Sequence, residues 1–391
     1  MAKIILKSGK ERSLLNFHPW LFSGAVHKTE GEIKEGDVVE IYSDKKEYLA
    51  TGHYHDGSIK VRIFSFTQVT PDYNFWKSKI QNAFDLRKQL GFVDNPDTNV
   101  YRLVNAEGDG MPGLIIDIYN ETAVIQTHTI GMHNIKNELV KALQEIYGSK
   151  LKAIYDKSSE TMNKHSEQVF KNGYLFGENS GNEVIENRNR FLVNWEEGQK
   201  TGFFIDQRDN RRLLSKYANG KNVLNTFAYS GGFSVYALKG GANLVHSVDS
   251  SKKTMDWAKQ NIELNFQNAE HEFFVLDTFD YLKKMESVYD LIILDPPAFT
   301  KHINAVKQAS IGYKNLNFEA IKRIKPNGII FTFSCSQHID KKLFRQIVFS
   351  AASQAKRNVR VLHQLTQPPD HPISIYHPEG EYLKGLVLHV E

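Results

Sequence analysis

A pair of glycines follows a short apolar segment in the sequence NVLNTFAYSGGFS, residues 222–234. Asn222–Asn225 is predicted to be a strand and the residues after the glycines a helix, so Gly231 and Gly232 lie at a strand-to-helix turn. Glycine at such a turn lets a ligand approach the backbone, because no Cβ stands in the way. Asp249 ends the next predicted strand, at the spacing where an acid suits ribose hydroxyls.

Predicted strands and helices alternate along the chain from residue 206 onward. Further strands are predicted at Leu244–Val248, His271–Val275, Leu291–Leu294 and Gly328–Ser334, with Lys253–Leu264 and Asn315–Ile324 among the helices between them. Such alternation indicates parallel strands joined by crossover helices, so the fold class is α/β with a doubly wound, Rossmann-like sheet. A last strand over Tyr382–Val390 is predicted to be antiparallel, at or near the edge of this sheet.

Two smaller domains are predicted before this sheet. Short alternating strands recur about every ten residues over residues 1–70, which indicates a small β-barrel. Residues 71–197 combine a predicted helix over residues 72–90 with later strands and a second helix, as in a central α+β domain. Residues 198–391 then form the α/β domain.

Composition narrows the class of protein. Of the 391 residues 41% are hydrophobic and 24% charged, as in globular proteins. No run of about 18 apolar residues predicts a membrane span, and the N-terminus lacks a secretory signal, so a cytoplasmic protein is expected. The single cysteine, Cys335, rules out a disulfide within the chain and a cysteine-rich metal site, and no metal is expected.

Basic residues are concentrated in two segments, while the net charge is only +4. Residues 1–29 carry one acid, Glu11, and five cations: Lys3, Lys7, Lys10, Arg12 and Lys28. Residues 341–360 carry six cations and no acid. Both segments are consistent with nucleic-acid binding, although the charge pattern by itself favours ordinary solvated surfaces.

The glycine turn favours a small adenosyl ligand over a dinucleotide. Its spacing is not G-x-G-x-x-G, and no basic residue stands ready for a diphosphate, which disfavours a nicotinamide oxidoreductase. Asp249 would then bind the ribose, and Asp277, after the third strand, would face the adenine amino group. In the alternative interpretation the glycines only turn the chain and Asp249 only caps a helix.

Two neighbouring strands of the predicted sheet end in residues that carry chemistry. Asp295-Pro296-Pro297 follows the fourth strand, and Cys335 follows the fifth, between two serines. The prolines stiffen the backbone, so Asp295 and its neighbouring carbonyls can bind the polar edge of a base. A thiolate that adds to C6 of cytosine makes C5 nucleophilic enough to take a methyl group. A structural turn and a buried free cysteine are the alternatives.

Four segments resemble the RlmI-type class I methyltransferases: GQKTGFFIDQR at 198–208, Asn225–Ser234, Asp295–Phe299 and Ser334–Ser336. The resemblance covers essentially the whole chain, including an N-terminal PUA domain that binds RNA and a central α+β domain. It implies S-adenosylmethionine as the cofactor and 5-methylcytosine in large-subunit (23S) ribosomal RNA as the product, formed through a covalent cysteine–C6 intermediate. It also suggests a homodimer.

The resemblance implies roles for individual residues. Cys335 would be the nucleophile, and Asp295 with Pro296 would hold the cytosine. The five cations of residues 1–29 would belong to the RNA-binding domain: Lys3, Lys7, Lys10, Arg12 and Lys28. The residues implied around the cofactor are Thr201, Phe203, Asp206 and Arg208 on its methionine side, and Phe227, Tyr229, Ser230, Gly231, Asp249, Ser251, Asp277 and Phe279 around its adenosine.

One departure from related enzymes leaves a step open. Ala298 stands where other RNA cytosine-C5 methyltransferases carry a second cysteine, so the group that takes the C5 proton is not assigned. Two alternatives remain: a ribosomal RNA methyltransferase of the same fold that acts on a guanine nitrogen without a thiol, and a non-catalytic RNA-binding or assembly module. The presence of Cys335 together with Asp249 and Asp295 favours the cytosine-C5 enzyme.

Overall fold

The computed structural model describes residues 1–163, 169–300 and 302–391. The chain folds into two compact units, each built from three stretches of sequence. The first unit comprises Met1–Ile185, Val193–Ile205 and Pro369–Gly380, and the second comprises Glu186–Leu192, Asp206–Pro368 and Glu381–Glu391. Within the described ranges, no helix combines the length and the apolar character needed to cross a bilayer.

The first unit begins with a mixed six-stranded sheet. Its strands are β1 (Ala2–Leu6), β2 (Trp20–Phe22), β3 (Val26–Glu30), β4 (Val38–Tyr42), β5 (Tyr48–Tyr54) and β6 (Ile59–Ser65), and helix α1 is Arg12–Leu15. The strand order is β2-β6-β5-β4-β1-β3, with β1 parallel to β4. Alternate side chains point to one face and form a core, because successive residues of a strand face opposite sides. This core includes Ile4, Leu6, Leu21, Val39, Ile41, Val61 and Ile63.

A five-stranded sheet with helices follows in the same unit. Its strands are β7 (Val100–Asn105), β8 (Leu114–Tyr119), β9 (Thr122–Thr127), β10 (Ala153–Asp156) and β11 (Gly173–Phe176), in the order β11-β10-β9-β8-β7. The helices are α2 (Tyr73–Gln89), α3 (Ile130–Asn134), α4 (Lys136–Tyr147) and α5 (Ser159–Met162). The short strands β12 (Glu183–Glu186) and β13 (Asn189–Leu192) come next in the chain; β12 starts in the first unit, and β13 belongs to the second. Asp72 caps α2, since its Oδ1 accepts from the Phe75 amide at 2.8 Å.

The second unit is built on a seven-stranded sheet. Its strands are β14 (Asn222–Thr226), β15 (Leu244–Asp249), β16 (His271–Val275), β17 (Leu291–Leu294), β18 (Gly328–Ser334), β19 (Val359–Leu365) and β20 (Lys384–Val390). The order is β16-β15-β14-β17-β18-β20-β19; the first five strands are parallel to one another, and β20 is antiparallel to both β18 and β19. The predicted Rossmann-like fold class is therefore confirmed.

Among the described residues of this unit, six helices accompany the sheet. They are α6 (Arg208–Ser215), α7 (Gly232–Lys239), α8 (Lys252–Asn265), α9 (Thr278–Lys284), α10 (Val306–Arg323) and α11 (Lys341–Ala355). Single 3-10 turns lie at Ser23–Ala25, Ala106–Asp109, Gly148–Lys150, Ile205–Gln207, Ile303–Ala305 and Pro378–Gly380. Helices α10 and α11 pack on one side of the sheet through a core that includes Tyr313, Leu316 and Phe344. This packing fixes the strands whose ends carry the candidate site.

Candidate functional site

The order of strands in the second unit reverses between β14 and β17. Thr226 pairs with Leu294 across these strands, so Phe227 and Asp295, the next residues, leave the sheet side by side. β15, which ends at Asp249, lies on the other side of β14, and β18 lies beside β17. Open α/β sheets bind ligands in the crevice at such a reversal. Candidate residues from four strand ends therefore collect at one edge of the sheet.

The loop after β14 has a strained backbone. Phe227, Tyr229 and Gly231 have φ angles of 53°, 49° and 78°. This left-handed region costs free energy for residues other than glycine, so surrounding contacts must hold the loop in place. The Ala228 amide donates to the carbonyl of Val248, and the Gly231 amide donates to the carbonyl of Ala228. Such strain is concentrated at functional sites, which favours this loop as a ligand contact.

Asp249 organises this loop through both carboxylate oxygens. Its Oδ2 accepts from the Tyr229 amide at 3.1 Å, and its Oδ1 accepts from the Ser251 amide at 3.0 Å. The side chain is half-buried, and each oxygen keeps a further lone pair with which it can accept a hydroxyl. The Ser251 hydroxyl caps α8 by accepting from the Thr254 amide at 3.3 Å. The cap is therefore Ser251, and Asp249 supports the loop before it.

Packing within the protein also explains why glycine stands at positions 231 and 232. A Cβ at Gly231 would lie 3.0 Å from the Ala258 Cβ, and one at Gly232 would lie 3.2 Å from the Cδ of Arg211. The carbonyl of buried Ser230 accepts from the Asn261 side chain at 2.9 Å. Close packing against α8 at Gly231 and against α6 at Gly232 thus requires small residues here even without a ligand. The acids, more than the glycines, point to a cofactor.

Asp277 and Phe279 stand at the start of α9. Asp277 is exposed, and its Oδ1 caps the helix by accepting from the Asp280 amide at 3.1 Å. The cap leaves the carboxylate further lone pairs for an amino group. The half-buried ring of Phe279 has its centroid 6.0 Å from that of Phe299, in the segment after β17. An aromatic surface therefore accompanies the acid.

The four residues expected on the methionine side are divided between the units. In the first unit Thr201 is buried and its hydroxyl donates to Asp117 Oδ2 at 2.6 Å, and Phe203 is also buried. In the second unit Asp206 Oδ2 accepts a hydrogen bond from the Tyr382 hydroxyl at 2.7 Å. The Nε of buried Arg208 lies 3.7 Å from Glu186 Oε2. All four side chains are buried.

The side chains at the strand ends fit an adenosyl group. The carboxylates of Asp249 and Asp277 follow adjacent strands and can accept from ribose hydroxyls and from an adenine amino group. The half-buried rings of Phe227 and Phe279 offer apolar faces. The loop 227–234 carries no lysine or arginine for a phosphate. Across the described part of the chain, no cluster of three or more His, Cys, Asp or Glu side chains could hold a metal ion.

The thiol of Cys335 lies beside the proline motif of the neighbouring strand. Its Sγ is 3.9 Å from the carbonyl oxygen of Pro296, and the residue is half-buried. Ser336, the next residue, is buried and its hydroxyl is 2.9 Å from the Tyr313 hydroxyl. The pairing of Leu294 with Thr332 explains this proximity, because it brings the ends of β17 and β18 to the same level.

The carboxylate of Asp295 is held by a residue that the sequence analysis did not single out. Gln207 Nε2 donates to Asp295 Oδ1 at 2.9 Å, while Gln207 Oε1 accepts from Asn210 Nδ2 at 2.6 Å. Gln207 is buried, whereas Asp295 is half-buried. This pair of hydrogen bonds restricts the orientation of the Asp295 carboxylate. The glutamine belongs to the segment 198–208 that carries the family resemblance, which is the one signal that could have identified it.

Lys384 is a second residue that the sequence analysis missed. It begins β20, stands opposite Ser334 in the ladder with β18, and is buried. Its Nζ donates to the carbonyl oxygens of Ser336 and Tyr382, each at 2.7 Å. Burial lowers the pKa of Lys384 to about 8. A lysine near the start of a predicted strand gives no sequence signal that it will be buried beside Ser336.

The cations expected to bind RNA all lie in the first unit and are exposed. Lys28 Nζ pairs with Glu30 at 2.8 Å, which lowers the pKa of that acid. Lys3 Nζ lies 5.0 Å from the centroid of the Tyr42 ring, and Lys7 Nζ donates to the Gly24 carbonyl at 3.1 Å. The charge of Lys28 is partly compensated by its acid, so we expect Lys7, Lys10 and Arg12 to contribute more to an anion surface.

Comparison with known proteins gives consistent matches over the whole chain. The family model of S-adenosylmethionine-dependent methyltransferases matches residues 168–377, and that of PUA-like domains matches residues 4–66. The ribosomal RNA large subunit methyltransferase I of Aeromonas hydrophila is 39% identical over 396 residues, which cover 99% of each chain.

Two solved structures match the full chain. A protein from Streptococcus mutans described as a candidate SAM-dependent methyltransferase has a TM-score of 0.85 at 26% identity, with both chains covered completely. A candidate methyltransferase in complex with SAH has a TM-score of 0.86, again at 26% identity and complete coverage.

Proposed function

The chain belongs to the S-adenosylmethionine-dependent methyltransferases, in the family of ribosomal RNA large subunit methyltransferase I, and we propose that it forms 5-methylcytosine in large-subunit ribosomal RNA. S-Adenosylmethionine is its cofactor, as the sequence predicted. The choice of cytosine C5 and of a covalent intermediate goes beyond family membership. A homodimer and a cytoplasmic location stay predictions.

One observation carries the choice of cytosine C5. The only cysteine of the chain lies with its sulfur 3.9 Å from the Pro296 carbonyl, next to a carboxylate that Gln207 orients. A thiol is needed for methylation at cytosine C5, because this carbon is a poor nucleophile until another group has added to C6. Methyl transfer to a guanine nitrogen needs no such group. The placement of Cys335 therefore supports the cytosine-C5 reaction.

The reaction follows from the roles of the groups at the two strand ends. The Cys335 thiolate adds to C6, an S–C6 bond forms, and the ring electrons move toward C5. The bound cofactor would supply the methyl group as an electrophilic carbon: C5 takes the methyl group, the S–CH3 bond breaks, and its electron pair stays on the cofactor sulfur, which leaves as a neutral thioether. Loss of the C5 proton then allows the S–C6 bond to break, and the electron pair returns to Cys335 as thiolate. Asp295 and the Pro296 carbonyl would hold the polar edge of the base during these steps.

The cofactor pocket is proposed from the strand ends of β14 to β16. Asp249 would accept from the ribose hydroxyls, Asp277 from the adenine amino group, and Phe227 with Phe279 would flank the ring. Tyr229, Ser230, Gly231 and Ser251 would shape the loop around it. The assignment of Thr201, Phe203, Asp206 and Arg208 to the methionine side rests on the family resemblance.

The product identifies the reaction directly. The protein is incubated with methyl-labelled S-adenosylmethionine and large-subunit ribosomal RNA from a strain that lacks the enzyme, and the digested nucleosides are separated. We expect the label in 5-methylcytidine. Label in a methylated guanosine would support the nitrogen-methylating alternative, and absence of label with bound cofactor and RNA would support a non-catalytic module.

A further inference from the structure

Lys384 places a buried charge beside the proposed nucleophile. The residue is 3% exposed, and its Nζ donates to the carbonyls of Ser336 and Tyr382. It stands opposite Ser334, the residue before Cys335, in the ladder of β18 and β20. The ammonium is thus fixed by hydrogen bonds to the segment that carries the thiol.

A lysine at this position carries a cost that an apolar residue would avoid. The alternate residues that follow on β20, Leu386, Leu388 and Val390, are all buried in the apolar core. Burial of an ammonium opposes its charged form, and it lowers the pKa of Lys384 to about 8. The two carbonyls satisfy part of the hydrogen-bonding capacity of the ammonium but do not require a lysine. A function that needs positive charge explains the residue better than packing does.

We propose that Lys384 is a positioning residue that stabilises the thiolate form of Cys335 and so makes the nucleophile available near neutral pH. This inference rests on the role proposed for Cys335 above. The proton of the thiol leaves to solvent, and no other bond changes. Two opposite charges in a poorly solvated site stabilise each other, so the effect is reciprocal. In agreement, the charge of Cys335 raises the pKa of Lys384 and partly offsets the effect of burial.

Other charged and titratable groups surround this pair. Asp340 and Glu381 raise the pKa of Lys384, and Lys341 lowers it. Lys341 forms an ion pair with Glu381, so these two charges largely compensate each other. Burial raises the pKa of Tyr313, which bonds to Ser336, so this hydroxyl stays neutral. Asp295 directly follows β17, the strand beside β18, and a carboxylate at that strand end would oppose a second negative charge at Cys335.

The lone cysteine makes the test direct, because every alkylated thiol is Cys335. The rate of alkylation by iodoacetamide is followed by intact mass from pH 5.5 to pH 10, on the full chain without RNA. At pH 7, Lys384→Met is expected to react about tenfold more slowly than wild type, since its thiolate fraction is smaller. The two rates should converge at high pH, where both thiols are ionised.

Two matched variants control for other effects. Lys384→Arg retains a cation and should restore much of the neutral-pH rate. Lys325 precedes β18, at the end of the strand opposite Cys335, and pairs with Asp290. Lys325→Met removes this distant cation and should leave the alkylation profile unchanged. If Lys384→Met does not fold, the pKa of Lys384 can be measured by NMR in wild type and in Cys335→Ser, where loss of the thiolate should lower it.

The outcomes separate this inference from the proposed reaction. Superimposable alkylation profiles for wild type and Lys384→Met would overturn the inference, as would an unchanged pKa of Lys384 in Cys335→Ser. Slow alkylation of Lys384→Met together with an active Cys335→Ala enzyme would instead leave the inference intact and contradict the cytosine-C5 reaction.

Discussion

The sulfur of Cys335 lies 3.9 Å from the carbonyl oxygen of Pro296, so the ends of β18 and β17 meet at one point of the sheet. The ring of Pro296 fixes its φ, and Pro297 restricts the ψ of Pro296, so this carbonyl can move little. A base whose polar edge contacts Asp295 and Pro296 would therefore present its ring near the thiol. The residues proposed to bind the base and the thiol proposed to attack it therefore lie at the ends of two neighbouring strands.

Asp249→Ala is expected to weaken S-adenosylmethionine binding. A charge-assisted hydrogen bond contributes about 1.5–3 kcal/mol, so affinity should fall roughly tenfold or more. The loop would also lose the acceptor of the Tyr229 and Ser251 amides. Calorimetry measures the change, and Asp256→Ala, an exposed acid on α8, should bind like wild type. Equal affinities for wild type and Asp249→Ala would remove this residue from the site.

Gln207→Ala is expected to impair use of RNA without affecting cofactor binding. The variant removes the amide that donates to Asp295 at 2.9 Å, so the carboxylate loses its fixed orientation. We expect kcat/KM for RNA to fall roughly tenfold, the magnitude of one hydrogen bond to a charged group. Steady-state kinetics provide the measurement, with Gln260→Ala, exposed on α8, as the control. A wild-type kcat/KM would show that Asp295 needs no such support.

Neutralising Lys7, Lys10 and Arg12 together is expected to weaken RNA binding and flatten its salt dependence. Each lost phosphate contact should reduce the log–log slope by about 0.7–0.9. Lys28→Ala should change the slope less, because Lys28 pairs with Glu30. Binding is measured from 50 to 200 mM salt, and cofactor affinity serves as the control. An unchanged slope would indicate that these cations do not bind RNA and would make residues 341–360 the next candidate for the RNA-binding surface.

Acid is expected to destabilise the first unit through His53. Burial lowers the pKa of His53 to about 4, below its ordinary value, and the ring packs between Phe64 and Trp76. As pH falls below about 6.5, the unfolded chain takes up a proton that the folded chain excludes. The free energy of unfolding should then fall by up to about 1.4 kcal/mol per pH unit until pH 4.

Urea unfolding at pH 7 and pH 5 tests the role of His53. His53→Phe should reduce the loss of stability between these two values, because its ring cannot titrate. His27→Phe, at an exposed position, should retain the full loss. Equal pH dependence in wild type and His53→Phe would assign the acid sensitivity to other groups.

The central strands of the sheet could be predicted because they are short apolar runs between turn residues. Leu291–Leu294 and Gly328–Ser334 have the predicted bounds, and both are almost completely buried. β19, Val359–Leu365, was not predicted, since its four apolar residues are interrupted by Arg360, His363 and Gln364; none of its side chains is fully buried. β19 forms the edge of the sheet, next to β20. The antiparallel strand that was predicted at or near the edge is β20, so it lies one position in from the edge.

The parts of the site that could not be predicted depend on contacts between distant residues. Gln207 and Asp295 are 88 residues apart, and Lys384 and Ser336 are 48 apart. A glutamine after a turn and a lysine at the start of a strand have no pattern that identifies such partners. Asp249, Asp295 and Cys335 were found because each directly ends or follows an apolar strand, which places it at the carboxyl edge of a parallel sheet.

Covalent trapping tests the central claim most directly, namely that Cys335 adds to C6 of cytosine. Ribosomal RNA that carries 5-fluorocytosine cannot lose its C5 substituent as a proton, so the S–C6 bond should persist after methyl transfer. We expect a shifted protein–RNA band on a denaturing gel with wild type and cofactor, and no such band with Cys335→Ala, which should also lose methylation while it still binds cofactor and RNA. A Cys335→Ala enzyme that methylates ribosomal RNA at the wild-type rate would contradict the account.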